Sequence, residues 1–254
     1  MAQLDLQENK TFICTMIGWE DPGQTIEEGR RAVADGTDGL IIGLERIRPE
    51  FRNAEAIGTI ARAFSVPCML HFYRKDSWSK DLPGDETIAQ TLLAAADAGI
   101  AMVDVMGDLF DPSPDERTKD PAAITRQRKL VDALHAHGAQ VVMSSHPLRP
   151  MTGDEISAQL TAFEERGADV VKIVTLIDTE EQFLDAVATT LRLRREIKKP
   201  FIFIAGGKYG YAHRIAGLEL GVAISFTVID REGWRKDIRA NPLTRTMRAV
   251  RDHS

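Results

Sequence analysis

The stretch ADVVKIV, residues 168–174, is an apolar and largely β-branched run that holds one basic residue, Lys172. Runs of the same kind recur along the chain at 12–17, 39–44, 68–73, 101–106, 139–144, 201–205 and 222–227. Between them, apolar residues return every three to four positions, which is the spacing of one helix face. An alternation of nearly continuous apolar strands with helices predicts a parallel sheet that is covered by helices.

Eight such strand–helix units in 254 residues favour closure of the sheet into a barrel. The competing doubly wound sheet usually has a glycine-rich turn after its first strand, and the segment GWEDPGQT at 18–25 lacks that pattern. The sequence therefore predicts the α/β class and a (β/α)₈ TIM barrel of eight parallel strands, formed as a single domain by residues 1–254.

The ends of the predicted helices carry local signals. Thr25 and Thr179 each precede a Glu or Gln by three positions, which is the spacing of a capping box. Asp120 stands directly before a proline, as an N-cap does before the first helical residue. Five glycines just ahead of a predicted strand favour left-handed helix ends: Gly36, Gly99, Gly138, Gly167 and Gly221.

The composition narrows the classes of partner and compartment. The net charge is −6 and the basic residues are scattered among acids, which argues against nucleic acid or an anionic membrane as a partner. The polar N-terminus and the lack of any run near the ~20 apolar residues needed to span a bilayer predict a cytoplasmic protein. Cys14 and Cys68 lie inside apolar runs, so we expect small buried side chains rather than a disulfide or a zinc site.

Lys172 and His146 are the strongest candidates for catalysis. In this barrel fold, catalytic side chains come from the carboxyl ends of strands and from the loops that follow them. A buried lysine is rare, and burial favours the uncharged amine that forms imines with carbonyl compounds. His146 ends the neighbouring run in VVMSSHP and can move protons around such an imine. The alternatives are a salt-bridged strand lysine and a hydrogen-bonded structural histidine.

Two arginines near the same end are candidates for holding a substrate carboxylate. Arg74 follows the third predicted strand, and Arg214 follows the seventh in GKYGYAHRIAG. The guanidinium group binds a carboxylate through two parallel hydrogen bonds. Either arginine alone is equally well explained as a surface residue.

Five motifs together resemble the type I 3-dehydroquinate dehydratase family over nearly the whole chain. They are ICTMI on strand one, HFYRKD on strand three, VVMSSHP on strand five, GADVVKIV on strand six and GGKYGYAHRIAG after strand seven. The resemblance implies that Lys172 forms the Schiff base, that His146 carries the protons and that Arg74 and Arg214 bind substrate. It further implies a homodimeric hydro-lyase of the shikimate or quinate pathway that needs no metal or cofactor and converts 3-dehydroquinate to 3-dehydroshikimate.

The chain departs from the family pattern on strand two. The family has a glutamate and, two residues later, an arginine that bind the substrate's hydroxyls, and Ile42 and Leu44 fall at those positions. Glu45 and Arg46 follow slightly late, and compensate only if the strand is shifted.

Strand four and the lid depart as well. Met106 falls where the resemblance implies a glutamate that positions the histidine, with Asp104 and Asp108 two residues to either side. The lid after strand eight reads VIDREGWRKD at 228–237, where the family has a serine and a glutamine. These changes predict a more apolar mouth, and leave open a paralogue that dehydrates or cleaves another β-hydroxy keto acid.

The sequence leaves three other functional hypotheses open. His71, Asp104 and His146 could together hold a divalent metal in the barrel mouth. Gly206-Gly207-Lys208 could bind a phosphate after strand seven, which with an imine lysine would indicate a class I aldolase. A barrel that only binds a ligand is the non-enzymatic reading, and it gives no role to Lys172.

Overall fold

The computed structural model describes residues 4–6, 10–74, 83–230 and 242–253. Eight strands and eight α-helices alternate along these residues. The strands are β1 Phe12–Ile17, β2 Gly39–Gly43, β3 Cys68–His71, β4 Met102–Met106, β5 Gln140–Ser145, β6 Val170–Leu176, β7 Phe201–Gly206 and β8 Ile224–Thr227. The helices are α1 Pro22–Ala34, α2 Ala54–Arg62, α3 Asp85–Asp97, α4 Pro121–Ala136, α5 Gly153–Glu164, α6 Glu180–Glu196, α7 Gly210–Leu220 and α8 Thr244–His253. Short 3₁₀ turns at Leu44–Arg46 and Pro49–Phe51 follow β2.

The strands form one parallel sheet in the order β7-β6-β5-β4-β3-β2-β1-β8, so β7 and β8 are its two ends. A backbone hydrogen bond from Ala223 to Phe201 joins the starts of these two strands. Near their other ends, the guanidinium of Arg214 donates to the carbonyls of Ala205 on β7 and Phe226 on β8. The sheet is therefore a nearly closed barrel, and the predicted (β/α)₈ fold is confirmed.

The interior of the barrel and the layer between strands and helices form one apolar core, to which every strand contributes. Each strand between helices is buried on both faces, which is why the sequence shows continuous apolar runs rather than alternation. Cys14 and Cys68 are buried and unpaired in this core, as expected. In the described ranges, no helix is long and apolar enough to cross a membrane.

Most of the predicted helix ends are confirmed. Thr179 forms a capping box with Gln182, and Asp120 caps α4 before its proline. The five glycines named from the sequence all have φ between 80° and 95°, in the left-handed region. The prediction that Thr25 starts a helix is wrong, because α1 begins at Pro22 and is capped by Asp21. A proline preceded by aspartate is the stronger start signal, and it lies one turn earlier.

Candidate active site

Lys172 lies inside the barrel on β6, and its side chain is only 3% exposed. Its Nζ is 3.1 Å from Oδ2 of Asp104 on β4, and the other oxygen of Asp104 accepts a 2.5 Å hydrogen bond from Ser144. Burial by itself raises the pKa of Asp104, but the charge of Lys172 and the hydrogen bonds to the carboxylate outweigh it and hold that pKa below its ordinary value. Asp104 is therefore an ionised carboxylate beside the amine. Met106, two residues later on the same strand face, adds an apolar side chain.

His146 follows β5 directly and is bound by an acid from the loop after β4. Oε2 of Glu116 lies 2.9 Å from Nδ1 of His146 and also accepts a 2.8 Å hydrogen bond from its backbone amide. Although burial raises the pKa of Glu116, the hydrogen bonds and charge of His146 lower it below its ordinary value. A carboxylate can only accept hydrogen bonds, so Nδ1 carries the proton and Nε2 of a neutral ring is free to take one.

Tyr73, just beyond the end of β3, connects the lysine to the histidine. Its hydroxyl is 2.8 Å from Nζ of Lys172 and 2.6 Å from Oδ2 of Asp104. Its ring packs edge-on against the ring of His146, with centroids 4.9 Å apart, and stacks on His71 at 4.6 Å. The predicted pair Lys172 and His146 is thus brought to the two sides of one phenol ring.

The carboxyl end of β2 contributes a carboxylate to the mouth. Oε1 of Glu45 is 3.1 Å from Nδ1 of His71, and the Glu45 side chain is only 1% exposed. Burial raises the pKa of Glu45, but the neighbouring His71 outweighs burial and lowers it below the ordinary range. The other oxygen, Oε2, has no hydrogen-bond partner among the described residues.

The alternation of β2 shows which of its residues face that mouth. A Cβ on Gly43 would lie 3.1 Å from both Glu45 and His71, so position 43 faces the mouth. Ile42 and Leu44, one residue to either side, point the other way and are fully buried in the core. The expectation that these two residues make the mouth apolar is therefore wrong. Glu45 occupies this part of the mouth because side chains alternate along β2, and the 3₁₀ turn that follows the strand continues this alternation for one more residue.

Arg74 is bound by two carboxylates. Its Nε donates to Asp85 at 2.5 Å, and its Nη2 donates to Asp108 at 2.6 Å. Those acids also accept from the backbone amides of Phe110 and Ser113, in the loop after β4. Arg74 thus links the end of β3 to that loop.

Arg214 has a different environment. Beyond the two strand carbonyls that it binds, no carboxylate partner is found for it among the described residues. Burial lowers the pKa of its guanidinium to about 9. A partly buried cation at the seam of the barrel, to which the described residues supply no counter-ion, is a ready partner for an anion.

The loop that carries Glu116 is held by a buried arginine. Arg166 is 5% exposed, and it donates to the carbonyls of Gly107 and Thr118, at the two ends of the loop, and to the side chain of Gln127. Glu116 itself has a φ of 48°, a left-handed conformation that non-glycine residues seldom adopt. This loop holds several acids, and the sequence alone does not indicate which of them meets His146.

The structure tests the alternative hypotheses of a metal site and a phosphate site. His71, Asp104 and His146 each bind a different partner, and no group of three potential metal ligands occurs in the described ranges. After β7, the amide of Lys208 donates to Asp178, and a Cβ on Gly207 would meet that carboxylate at 2.5 Å. The carboxylate of Asp178 therefore occupies the position that a phosphate bound by Gly206-Gly207-Lys208 would need, so a phosphate site there is not supported. Most of the lid at 228–237 lies outside the described residues.

Comparison with known proteins identifies the family of the chain. The family described as Type I 3-dehydroquinase matches residues 13–251. A 3-dehydroquinate dehydratase of Klebsiella pneumoniae is 25% identical over 236 residues, which cover 90% of this chain and 89% of that protein.

Solved structures agree at the level of the fold. The 3-dehydroquinate dehydratase of Geobacillus kaustophilus superposes with a TM-score of 0.80 at 18% identity, over 96% of this chain and 91% of that one. The type I enzyme of Clostridium difficile, solved with covalently modified comenic acid, also gives 0.80, at 17% identity over 97% and 93% of the two chains. Because the family match spans all eight strands and both candidate catalytic residues, the chain belongs to the type I 3-dehydroquinase family.

Proposed function

We propose that this chain dehydrates 3-dehydroquinate to 3-dehydroshikimate, with Lys172 forming the Schiff base and His146 carrying the protons. The family is one of carbon–oxygen hydro-lyases of the Schiff-base type. The observation that carries the proposal is the arrangement around Tyr73, whose hydroxyl is 2.8 Å from Nζ of Lys172 and whose ring packs against His146. An imine-forming amine with a proton carrier beside it supplies what this elimination needs.

In this mechanism, Lys172 gives up a proton and its amine attacks the ketone carbon. The adduct loses water to form an iminium ion, which draws electrons from the neighbouring carbon and makes its proton removable. His146 takes that proton through Nε2 and returns it to the β-hydroxyl, which leaves as water. Hydrolysis of the imine then releases the product and restores Lys172. Asp104, 3.1 Å from Nζ, is the nearest base for the lysine's proton.

Three side chains are proposed to hold the substrate. Arg214 binds its carboxylate, because the guanidinium is partly buried and has no carboxylate among the described residues. Arg74 is a second candidate for that carboxylate, and would have to exchange Asp85 or Asp108 for it. Glu45 accepts a hydrogen bond from a ring hydroxyl of the substrate through Oε2. It would thereby replace the family's hydroxyl-binding glutamate, at whose position the motif comparison finds Ile42.

The substrate is tested by steady-state kinetics at pH 7. We expect kcat/KM for 3-dehydroquinate to fall within the ordinary enzyme range of roughly 10⁴–10⁸ M⁻¹ s⁻¹. β-Hydroxy keto acids without the ring hydroxyls should be far poorer substrates, because Glu45 would be left without its partner. Met106, which faces the mouth, favours the alternative of a less hydroxylated acid. A large preference for such an acid would overturn 3-dehydroquinate as the substrate.

We also propose a cytoplasmic homodimer of one barrel domain per chain, spanning residues 1–254. Leu184 and Leu191 support an interface on α6, because they lie seven residues apart on one helix face and are 67% and 40% exposed. Sedimentation of the wild type should give twice the chain mass, and Leu184→Glu should shift it toward the monomer. A wild-type monomer at micromolar concentration would contradict the dimer.

A further inference from the structure

The phenol of Tyr73 has a place in the site that packing alone does not explain. Its oxygen stands between a cation and an anion, 2.8 Å from Nζ of Lys172 and 2.6 Å from Oδ2 of Asp104. Lys172 can only donate and the carboxylate can only accept, so the phenol accepts from the first and donates to the second. The three groups form a chain of hydrogen bonds that runs from the reacting nitrogen to a base.

The phenol keeps its proton in the resting site. Burial and the neighbouring charge of Asp104 raise the pKa of Tyr73 well above its ordinary value, so phenolate does not form at neutral pH. The ring is also fixed, since it stacks on His71 at an interplanar angle of 15° and meets His146 edge-on at 69°. A neutral hydroxyl in a fixed position between donor and acceptor is suited to pass a proton on by giving one and taking one.

We propose that Tyr73 is a further catalytic residue, which carries protons between Lys172 and Asp104 while the imine forms and while it is hydrolysed. The proposal rests on the assignment of the Schiff base to Lys172. It differs from the role of His146, which acts on the carbon skeleton after the imine exists.

The proton movements balance in both halves of imine formation. First, the ammonium of Lys172 passes a proton to the phenol oxygen as the phenol passes its own to Asp104, which leaves a neutral amine and a protonated carboxyl. The amine adds to the ketone, and the proton on its nitrogen moves to the new alkoxide. Asp104 then returns its proton through Tyr73 to the hydroxyl of the adduct, and water leaves as the nitrogen lone pair forms the C=N bond. The sum is ammonium plus ketone giving iminium plus water.

A direct transfer from Lys172 to Asp104 competes with this route, since these groups are 3.1 Å apart. Asp104 is less suited to protonate the hydroxyl of the adduct directly, because one of its two carboxylate oxygens is held by a hydrogen bond from Ser144. Tyr73 lies just beyond the end of β3, at the end of the barrel where substrates enter, and its hydroxyl already contacts Nζ of Lys172, so in our proposal it also serves the oxygen of the adduct.

The test removes only the hydroxyl. Tyr73→Phe keeps the ring that stacks on His71, and Tyr211→Phe is a matched control, because Tyr211 is 43% exposed on α7. Both changes are made in a His146→Ala background, in which the proposed role of His146 predicts that elimination is slowed and the imine accumulates. Each variant is mixed with 3-dehydroquinate and quenched with borohydride at successive times, and the fraction of Lys172 that carries the reduced substrate is measured by mass.

We expect Tyr73→Phe to slow imine formation roughly 10²-fold, within the range for loss of a general acid–base group, and to slow imine hydrolysis by the same factor. The plateau of labelling should not change, since a proton carrier alters both rates and not the equilibrium. Tyr211→Phe should match its parent. Unchanged rates, or a lower plateau that shows lost binding, would overturn the role of Tyr73. If the parent gives no label on Lys172, the proposed function itself fails, and that outcome is separate.

Discussion

Oε2 of Glu116 accepts hydrogen bonds from two nitrogens of His146, the backbone amide at 2.8 Å and Nδ1 at 2.9 Å. This double contact fixes both the position of the residue and the tautomer of its ring. Second partners of this kind orient catalytic imidazoles in many enzymes. We therefore expect Glu116 to act through His146 as a positioning residue.

Glu116→Gln should lower kcat by about 10²-fold and leave KM within a few-fold, because the amide can donate to Nδ1 and stabilise the wrong tautomer. Borohydride trapping of Lys172 should persist in this variant, since the amine is untouched. Asp115→Asn is the matched control: it removes the neighbouring acid, which is 45% exposed and pairs with Arg149. A Glu116→Gln enzyme as active as the control would show that His146 does not depend on Glu116.

The fold and the two candidate catalytic residues could be predicted because their signals are local. A basic residue within an apolar strand, such as Lys172, and a histidine at the end of the next strand stand out in the sequence. Glu116 could not be predicted, because its loop holds several acids and its placement depends on Arg166, about fifty positions further on. That long-range support, and the left-handed backbone of Glu116, have no signature in the loop itself.

The strand-two prediction failed for a different reason. Side chains alternate across a strand, so a shift of one residue exchanges the mouth face for the core face. The motif comparison assigned the family's hydroxyl-binding positions to Ile42 and Leu44, whereas Gly43 and Glu45 are the residues that face the mouth. Tyr73 was overlooked because an aromatic residue at a strand end is ordinarily read as packing.

Anion binding should depend on the guanidinium of Arg214. Arg214 donates to two strand carbonyls and has no carboxylate partner among the described residues, so a substrate carboxylate can pair with it. Arg214→Gln should raise the inhibition constant of an unreactive carboxylate analogue by roughly tenfold or more, because a charged hydrogen-bond donor is lost. Arg214→Lys should recover only part of that affinity, because an ammonium group cannot form the two parallel hydrogen bonds. An Arg214→Gln enzyme that binds the analogue as tightly as the wild type would remove Arg214 from the carboxylate site.

Arg74→Met should destabilise the protein, by about 3 kcal/mol in urea unfolding. The substitution leaves Asp108, whose side chain is 1% exposed, as a buried charge without its cation. Arg74→Met/Asp108→Leu should recover much of the loss, because the charge is then gone as well. If Arg74→Met instead raises KM and leaves the unfolding free energy unchanged, Arg74 binds substrate rather than the loop.

His213 should make the fold less stable in mild acid. Burial lowers its pKa from 6.5 to about 4, so between those values the unfolded chain binds a proton that the folded protein does not. Stability from this group is complete above pH 6.5 and is lost as the pH falls toward 4, by up to about 3 kcal/mol. His213→Phe should flatten the urea-unfolding profile over that window. An equally steep profile in the variant would assign the acid sensitivity to other groups.

Borohydride trapping of the wild-type protein with 3-dehydroquinate, followed by peptide mass analysis, tests the assignment of the Schiff base to Lys172 most directly. We predict that one peptide gains the mass of the reduced ligand, that the modified residue is Lys172, and that activity falls in proportion to the labelling. Lys208, an exposed lysine after β7, serves as the internal control and should stay unmodified. Full turnover with no label on Lys172, or a label on another lysine that tracks the loss of activity, would contradict this assignment.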